Sequence, residues 1–478
     1  MNKIYDIIVI GAGSGGLNIA VFMARIGCTV LLIDKSDRSI GGDCLNYGCI
    51  PSKALIHVAR MVYTGKNVSQ FGITQQGEVD IEKVMAYVTE RKEIIREHEN
   101  AAHFRNLGID VVLGTATFAS ANEVEVDNTK YTGKKIVIAT GSRPRTLTIP
   151  GASEAFALGI LHTNETIFDL KVLPKKLVVI GAGPIGVELG QALSHLGSEV
   201  TLVSNDSHIL PREDTSVVNV LFEQLQRDGM HFVFNTNTVR IQKSTLILKD
   251  RNTDAENSLP FDVILVAIGR ILNTDNLQLE KAGVEIRDGK IVVDAYLRTT
   301  NKNIYVCGDV AGMHQFTHAA ELHAGLLLRN FFTPFFKKKL STKNMSWVTY
   351  ATPEIATYGL SEKELLAQHI PYTILEESFE HDDRAITDSA THGIAKMFVN
   401  PKSGRILGGT MVAPHAGELI QELILSMSAN VPISKIFNKT YPYPTASRIN
   451  KRVVTGYFKE KLTVRAASIL KTLFRLFA

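Results

Sequence analysis

The chain is short of several features that would assign it elsewhere. No uninterrupted apolar stretch in its 478 residues approaches the roughly 20 residues needed to span a bilayer. The opening Met1-Asn2-Lys3-Ile4-Tyr5-Asp6 leads into an apolar run that glycines soon break, which is not the pattern of a secretory signal, so a cytoplasmic setting is expected. The four cysteines, Cys28, Cys44, Cys49 and Cys307, are too scattered to hold a metal together, and no metal site is expected. The formal net charge is only +4. Positions 458 to 478 carry five cations and one carboxylate, so the rest of the chain is formally neutral. That balance excludes a general nucleic-acid-binding surface and moves attention to the tail.

What the chain does have is glycine in particular places. Ile7 to Ile10 reads as an apolar strand, Gly11-Ala12-Gly13-Ser14-Gly15-Gly16 as the following turn, and Leu17 to Ile26 as a helix. This is the strand, turn and helix context of a dinucleotide-binding fingerprint. Gly11 permits the tight turn, Gly13 lets backbone approach a pyrophosphate, and Gly16 lets helix and strand pack closely. A second strand, Val30 to Ile33, ends at Asp34, whose carboxylate is placed to accept hydrogen bonds from an adenosine ribose.

Just downstream, Cys44 and Cys49 stand in Gly41-Gly42-Asp43-Cys44-Leu45-Asn46-Tyr47-Gly48-Cys49-Ile50-Pro51-Ser52-Lys53. Four intervening residues differ from the common zinc spacings, and a helix expected to start here favours a thiolate through its dipole. A cysteine pair can store two electrons as a disulfide, so beside a dinucleotide loop it reads as a redox disulfide next to a bound flavin. Cys28 and Cys307 read as packing residues.

The pattern then repeats. Lys176 to Ile180 is a strand, Gly181, Gly183 and Gly186 form the turn, and the helix continues through Ile185, Glu188 and Gly190. Two dinucleotide sites in one chain suggest a flavin paired with a nicotinamide. Asp34 lies 23 positions after Gly11, and the corresponding residue after Gly181 is Ser204. Loss of the carboxylate there permits a 2′-phosphate and tilts the expectation slightly to NADPH, although no arginine stands beside it in sequence; His208 and Arg212 are the nearby basic residues. Strands ending at Thr140-Gly141, at Gly269 and at Cys307-Gly308-Asp309 offer further turns where backbone can approach a cofactor, and Asp309 could bond ribityl or ribose hydroxyls.

With both fingerprints, the cysteine pair and Cys307-Gly308-Asp309 in this order, the chain resembles the flavin-dependent pyridine nucleotide-disulfide oxidoreductases, a group that includes dihydrolipoamide dehydrogenase, glutathione reductase and mercuric reductase. Thr352 to Leu360 and Gly404 to Glu422 resemble the family's dimerisation domain. The resemblance implies an α/β fold with two Rossmann-like three-layer domains, for FAD and for NAD(P), plus an α+β dimerisation domain and a homodimer. The implied order is an FAD-binding domain in two parts (1–150 and 275–344), an NAD(P)-binding domain (151–274), a dimerisation domain (345–457) and a tail (458–478). It also implies that Cys49 touches the flavin, that Cys44 attacks the acceptor, that Lys53 and Glu188 pair near the flavin's reactive edge, and that Ala116, Thr140, Gly141, Asp309 and Thr317 line the FAD site.

One stretch departs from the family pattern. Disulfide-reducing members carry His-Pro followed by a glutamate near the C-terminus, and the partner subunit uses that histidine to move protons. Here Tyr443 stands at the histidine position and Arg448 at the glutamate position. A phenol with a usual pKa of about 10 is a poor shuttle at neutral pH. Mercuric reductases also carry tyrosine there, so the chain looks like that branch, with a metal ion, quinone or small disulfide as acceptor; their terminal cysteine pair is absent. Dihydrolipoamide dehydrogenase working without the usual base is the alternative, and a flavoprotein docked on a membrane with weak turnover is a reading of another class. His415 and Glu418 read as an ordinary helix start.

In the tail, Leu462, Ala466, Ile469, Leu470, Leu473, Phe474 and Phe477 recur at helical spacing beside Lys461, Arg465, Lys471 and Arg475. This predicts a basic amphipathic helix over 458–478, lying on the inner face of a membrane or packing on the dimer.

Overall fold

The strand Ile4–Ile10 is apolar and buried from Ile7 to Ile10 because both of its faces are covered there, which is the signature of a central parallel strand. It pairs in parallel with Val30–Asp34 on one side and Thr129–Ile138 on the other. Asp110–Leu113 extends the sheet beyond Val30–Asp34. The ten-residue strand Thr129–Ile138 has two partners besides Ile4–Ile10. Its first half pairs antiparallel with Glu123–Val126, and its last three residues pair in parallel with Ile304–Val306. Chain from beyond residue 300 thus returns to complete the sheet begun at residue 4. Ile7, Ile8, Val9, Leu31, Leu32 and Ile304 are buried in one core, each contributing about 1.5–3 kcal/mol.

The computed structural model describes residues 3–74, 76–460 and 463–477. Met1, Asn2, Gln75, Lys461, Leu462 and Ala478 lie outside the described residues, so the tail positions Lys461 and Leu462 have no structural account.

A second parallel sheet runs in the order His231–Val233, Glu199–Val203, Lys176–Ile180, Val263–Val266, Leu161–His162. An antiparallel sheet of three strands, Thr236–Gln242, Thr245–Asp250 and Glu256–Pro260, is inserted between its strands His231–Val233 and Val263–Val266. A short antiparallel pair, Ser142–Pro144 with Arg270–Leu272, ties the turn after one sheet to the turn after the other. These are the two Rossmann-like layers the resemblance implied.

By contacts the chain forms two compact units, one of residues 1–208 and 231–341, the other of 209–230 and 342–478. The second unit holds an antiparallel sheet in the order Ser346–Thr349, Glu354–Gly359, Ile406–Ala413, Ile394–Val399, Thr373–Ser378. Residues 209–230, inside the stretch that sequence allots to the NAD(P)-binding domain, pack in this unit. The cause is polar as well as apolar: Lys396 is 2.7 Å from Asp214, and Glu213 accepts hydrogen bonds from Trp347 Nε1 and Thr357 Oγ1 at 2.6 Å each.

The C-terminal helices differ from the sequence expectation. Phe458 belongs to the helix Arg448–Glu460, where it packs on Phe437 with ring centroids 4.7 Å apart. The amphipathic helix is Val464–Phe477, six residues later than expected, because that aromatic contact keeps residue 458 in the preceding element. Among the described residues no helix is long and apolar enough to cross a membrane.

Candidate functional site

Both glycine turns have the geometry a dinucleotide requires. Gly11 takes φ +105, and a Cβ there would stand 2.3 Å from Ala139 O; at Gly16 it would stand 2.0 Å from Gly11 O. Only glycine satisfies both constraints. The helices Ser14–Arg25 and Pro184–Leu196 begin at Gly13 and Gly183 with no side chain capping either terminus and no acid in either first turn. A Cβ on Gly183 would meet no protein atom within 4 Å. Uncapped N–H groups facing open space at the positive end of a helix fit the pyrophosphates of FAD and NAD(P)H. Ile185 lies in the first turn of the second helix.

At the strand ends the two sites differ. Asp34 Oδ2 accepts the Ala12 N–H at 2.6 Å, and Oδ1 accepts the Lys35 N–H at 2.7 Å and the Ser39 hydroxyl. Ser204, buried, receives the Asp206 N–H on its hydroxyl at 3.1 Å. Arg251 donates to Asn205 O at 2.7 Å, which brings a guanidinium to the loop that follows Ser204. Sequence reasoning missed Arg251, since it lies 46 positions from Asn205 and reaches it only through the antiparallel strand Thr245–Asp250.

Around Asp309 a polar cluster forms. Ser142 Oγ donates to Asp309 Oδ2 at 2.6 Å, Arg270 Nε donates to Ser142 Oγ at 2.7 Å, and Arg270 Nη2 is 3.0 Å from Asp43 Oδ1. Burial pushes the Asp309 carboxyl up from the usual carboxylate range. Thr140 and Asn273 exchange hydrogen bonds at 2.7 and 2.8 Å beside Gly141, which takes φ +68. Gly269 takes φ +106 at the matching turn of the second sheet. Ala116 is buried in the first core. Sequence reasoning also passed over Arg270 and Ser142; their signal is that each directly follows one of these strand-end turns.

Cys44 lies in the short helix Gly42–Asn46, and Cys49 opens the helix Cys49–Lys66, so the pair straddles a break rather than sharing one helix start. All four cysteines are free thiols, and Cys307 is fully buried behind Gly15. Cys44 donates a hydrogen bond to Cys49, which holds the Cys49 thiol down at about 6; Thr317 Oγ1, 3.4 Å from its sulfur, and the charge of Lys53 act in the same direction. The same contact pushes the Cys44 thiol up. The pair is therefore a thiolate at Cys49 hydrogen-bonded to a thiol at Cys44. Lys53, one turn on, donates to Glu188 Oε2 at 2.8 Å, and Glu188 is buried in the helix of the second fingerprint.

In the second unit, Tyr443 is 66% exposed and the Arg448 guanidinium lies over its ring, 5.0 Å from the centroid. His415 stands at the N-cap position of the helix Ala416–Leu419 with left-handed backbone and makes no side-chain capping bond.

The pattern of the pyridine nucleotide-disulphide oxidoreductase family matches residues 5–324, and that of the family's dimerisation domain matches residues 345–453. The chain belongs to this family. As a flavoprotein oxidoreductase of that family it uses FAD and NAD(P)H and a redox-active disulfide, and the dimerisation domain supports the expected homodimer. It is 33% identical to the dihydrolipoyl dehydrogenase of Mycoplasma genitalium over 95% of this chain and 99% of that one. It is 30% identical to the mercuric reductase of Bacillus cereus over 96% of this chain and 72% of that one. Among solved structures, the Cu(II) complex of the HOCl-induced flavoprotein disulfide reductase RclA from Escherichia coli superposes with a TM-score of 0.83 at 27% identity, over 95% of this chain and 99% of that one.

Proposed function

We propose that this oxidoreductase draws electrons from NAD(P)H, with NADPH preferred, and delivers them through Cys49 and Cys44 to a metal ion or a quinone rather than to a disulfide. The bound flavin supplies the exchange of a hydride for the electron pair that opens the disulfide. Cys49 is the thiol on the flavin side and Cys44 the thiol that meets the acceptor. Lys53, held by Glu188, keeps a positive charge beside Cys49 and favours its thiolate. Asp34 and Asp309 orient the hydroxyls of FAD, and Arg251 draws the 2′-phosphate of NADPH to Ser204.

The observation that carries the acceptor assignment is the Tyr443–Arg448 stack. A disulfide substrate needs a base near neutral pH to take the proton of the attacking thiol and return it to the leaving one. The Cys44 thiol is held protonated, and the position from which disulfide reducers supply imidazole carries a phenol under a guanidinium. A metal ion displaces the thiol proton itself on binding sulfur, so it needs no such base. The Cu(II) complex of RclA makes Cu(II) a natural first acceptor to try. The competing reading, a dihydrolipoyl dehydrogenase, is favoured by 33% identity over nearly the whole chain.

An anaerobic titration with NADH and with NADPH, followed by NAD(P)H-driven turnover with lipoamide, oxidised glutathione, Hg(II), Cu(II) and quinones, separates the two. We expect at least one metal ion or quinone to exceed lipoamide by more than about tenfold in kcat/KM. Faster turnover of lipoamide or oxidised glutathione than of every metal ion and quinone would reject the proposal, as would a Cys44→Ser enzyme of undiminished activity.

A further inference from the structure

Two elements the chemistry leaves unused share one composition. The first is the helix Val464–Phe477. At 3.6 residues per turn, Leu476, Ile469, Leu473, Phe477, Leu470 and Phe474 span an arc of about 180°, while Lys471, Arg475 and Arg465 occupy the opposite arc. The helix has three cations and no carboxylate. Among the described residues its apolar arc is exposed: Phe474 is 74% and Phe477 87% exposed. Thr463 caps its start by accepting the Ala466 N–H at 3.2 Å, so the helix has its own N-terminal support.

The second element follows the helix Thr317–Phe332 and reads Thr333-Pro334-Phe335-Phe336-Lys337-Lys338-Lys339. Phe335 is 91% and Phe336 80% exposed. They do not project by looseness. Asn330, buried, donates to Lys338 O at 2.9 Å and accepts the Lys338 N–H at 2.8 Å, and Phe336 N–H bonds Thr333 O at 3.1 Å. The turn is pinned, and it holds two phenylalanines outward beside three consecutive lysines.

We infer that each of these elements is a peripheral anchor for an anionic lipid surface, its apolar side chains entering the headgroup boundary and its cations meeting lipid phosphates. Charge complementarity selects this occupant. Lysine is depleted from the cores of protein interfaces, whereas runs of lysine beside exposed aromatics are what an anionic bilayer surface attracts. An apolar arc of about 180° on a 14-residue helix is also wider than a coiled-coil seam and short for one.

The test uses the full-length holoenzyme and sedimentation with vesicles of phosphatidylcholine, alone or with one-third phosphatidylglycerol. Pelleting is expected only with the anionic vesicles and should fall as salt rises. Phe474→Ser with Phe477→Ser, and separately Phe335→Ser with Phe336→Ser, should each weaken vesicle binding by about tenfold or more, with NAD(P)H-driven flavin reduction unchanged. The inference is overturned if the wild-type protein ignores anionic vesicles, if it binds neutral ones equally, or if both double variants bind like wild type. A double variant that lowers the oligomeric state on sizing, with vesicle binding intact, would assign that face to a second copy of the chain and overturn it as well.

Discussion

The two glycine turns are near copies in geometry and differ in what stands at the end of the neighbouring strand. A Cβ at Gly16 would fall 2.0 Å from Gly11 O, and at Gly186 it would fall 2.1 Å from Gly181 O. Both helices start uncapped. On the proposed reading this part holds a pyrophosphate and nothing more. On that reading the choice of nucleotide falls a strand away, where the first site presents Asp34 and the second presents Ser204 with Arg251 nearby. Binding and discrimination are thus separable, and each can be broken alone.

The largest effects come from breaking the shared part. Gly16→Val forces a side chain into the Gly11 carbonyl and should yield protein that purifies without flavin, read by absorbance near 450 nm. Gly186→Val makes the same collision in the second turn, yet should keep flavin and lose reduction by NADH and NADPH alike, by about a hundredfold or more in rate. If Gly186→Val also lost flavin, the two turns would not be independent.

The next effect sharpens the difference. Arg251→Ala should raise the KM for NADPH about tenfold, an order of 1.4 kcal/mol, and leave that for NADH within about twofold. Ser204→Glu should act in the same direction by repelling the 2′-phosphate. Equal losses for the two coenzymes in Arg251→Ala would show that the arginine only supports the loop.

This second pair of residues marks the limit of what the chain shows before folding. The glycine turns, Asp34 and the cysteine spacing are local: each is specified by a few neighbours along the chain, and the sheets form where the apolar runs indicate. Arg251 and Arg270 come to their sites from other strands, so no window around Ser204 or Asp309 contains them. The segment 209–230 shows the same limit in packing. Its helical periodicity says that one face is covered, but not that Lys396 and Trp347 of the C-terminal unit do the covering. At Phe335 and Phe336 the limit is different: two aromatics after a helix carry no local mark of exposure, and the turn that holds them outward is fixed by the Asn330 bonds to Lys338.

The smallest effect lies where the two sites are joined, at the ion pair between Lys53, on the helix opened by Cys49, and Glu188, on the helix of the second turn. In the reduced protein Cys49 ionises at about 6, well below the usual thiol range. Alkylation by iodoacetamide consumes the thiolate, so its rate at Cys49, followed by peptide mass, should be flat above that midpoint and fall about tenfold per pH unit below it. The hydrogen bond from Cys44 is the leading cause of the depression and the charge of Lys53 a lesser one. Cys44→Ala should therefore move the midpoint upward, and Lys53→Met should move it upward by less. Glu188→Gln removes the carboxylate that accepts from Lys53 and should move it slightly downward. A wild-type midpoint near 8.5 would remove the thiolate from Cys49, and a larger shift in Lys53→Met than in Cys44→Ala would make the link between the two sites, rather than the dithiol itself, the source of the reactive sulfur.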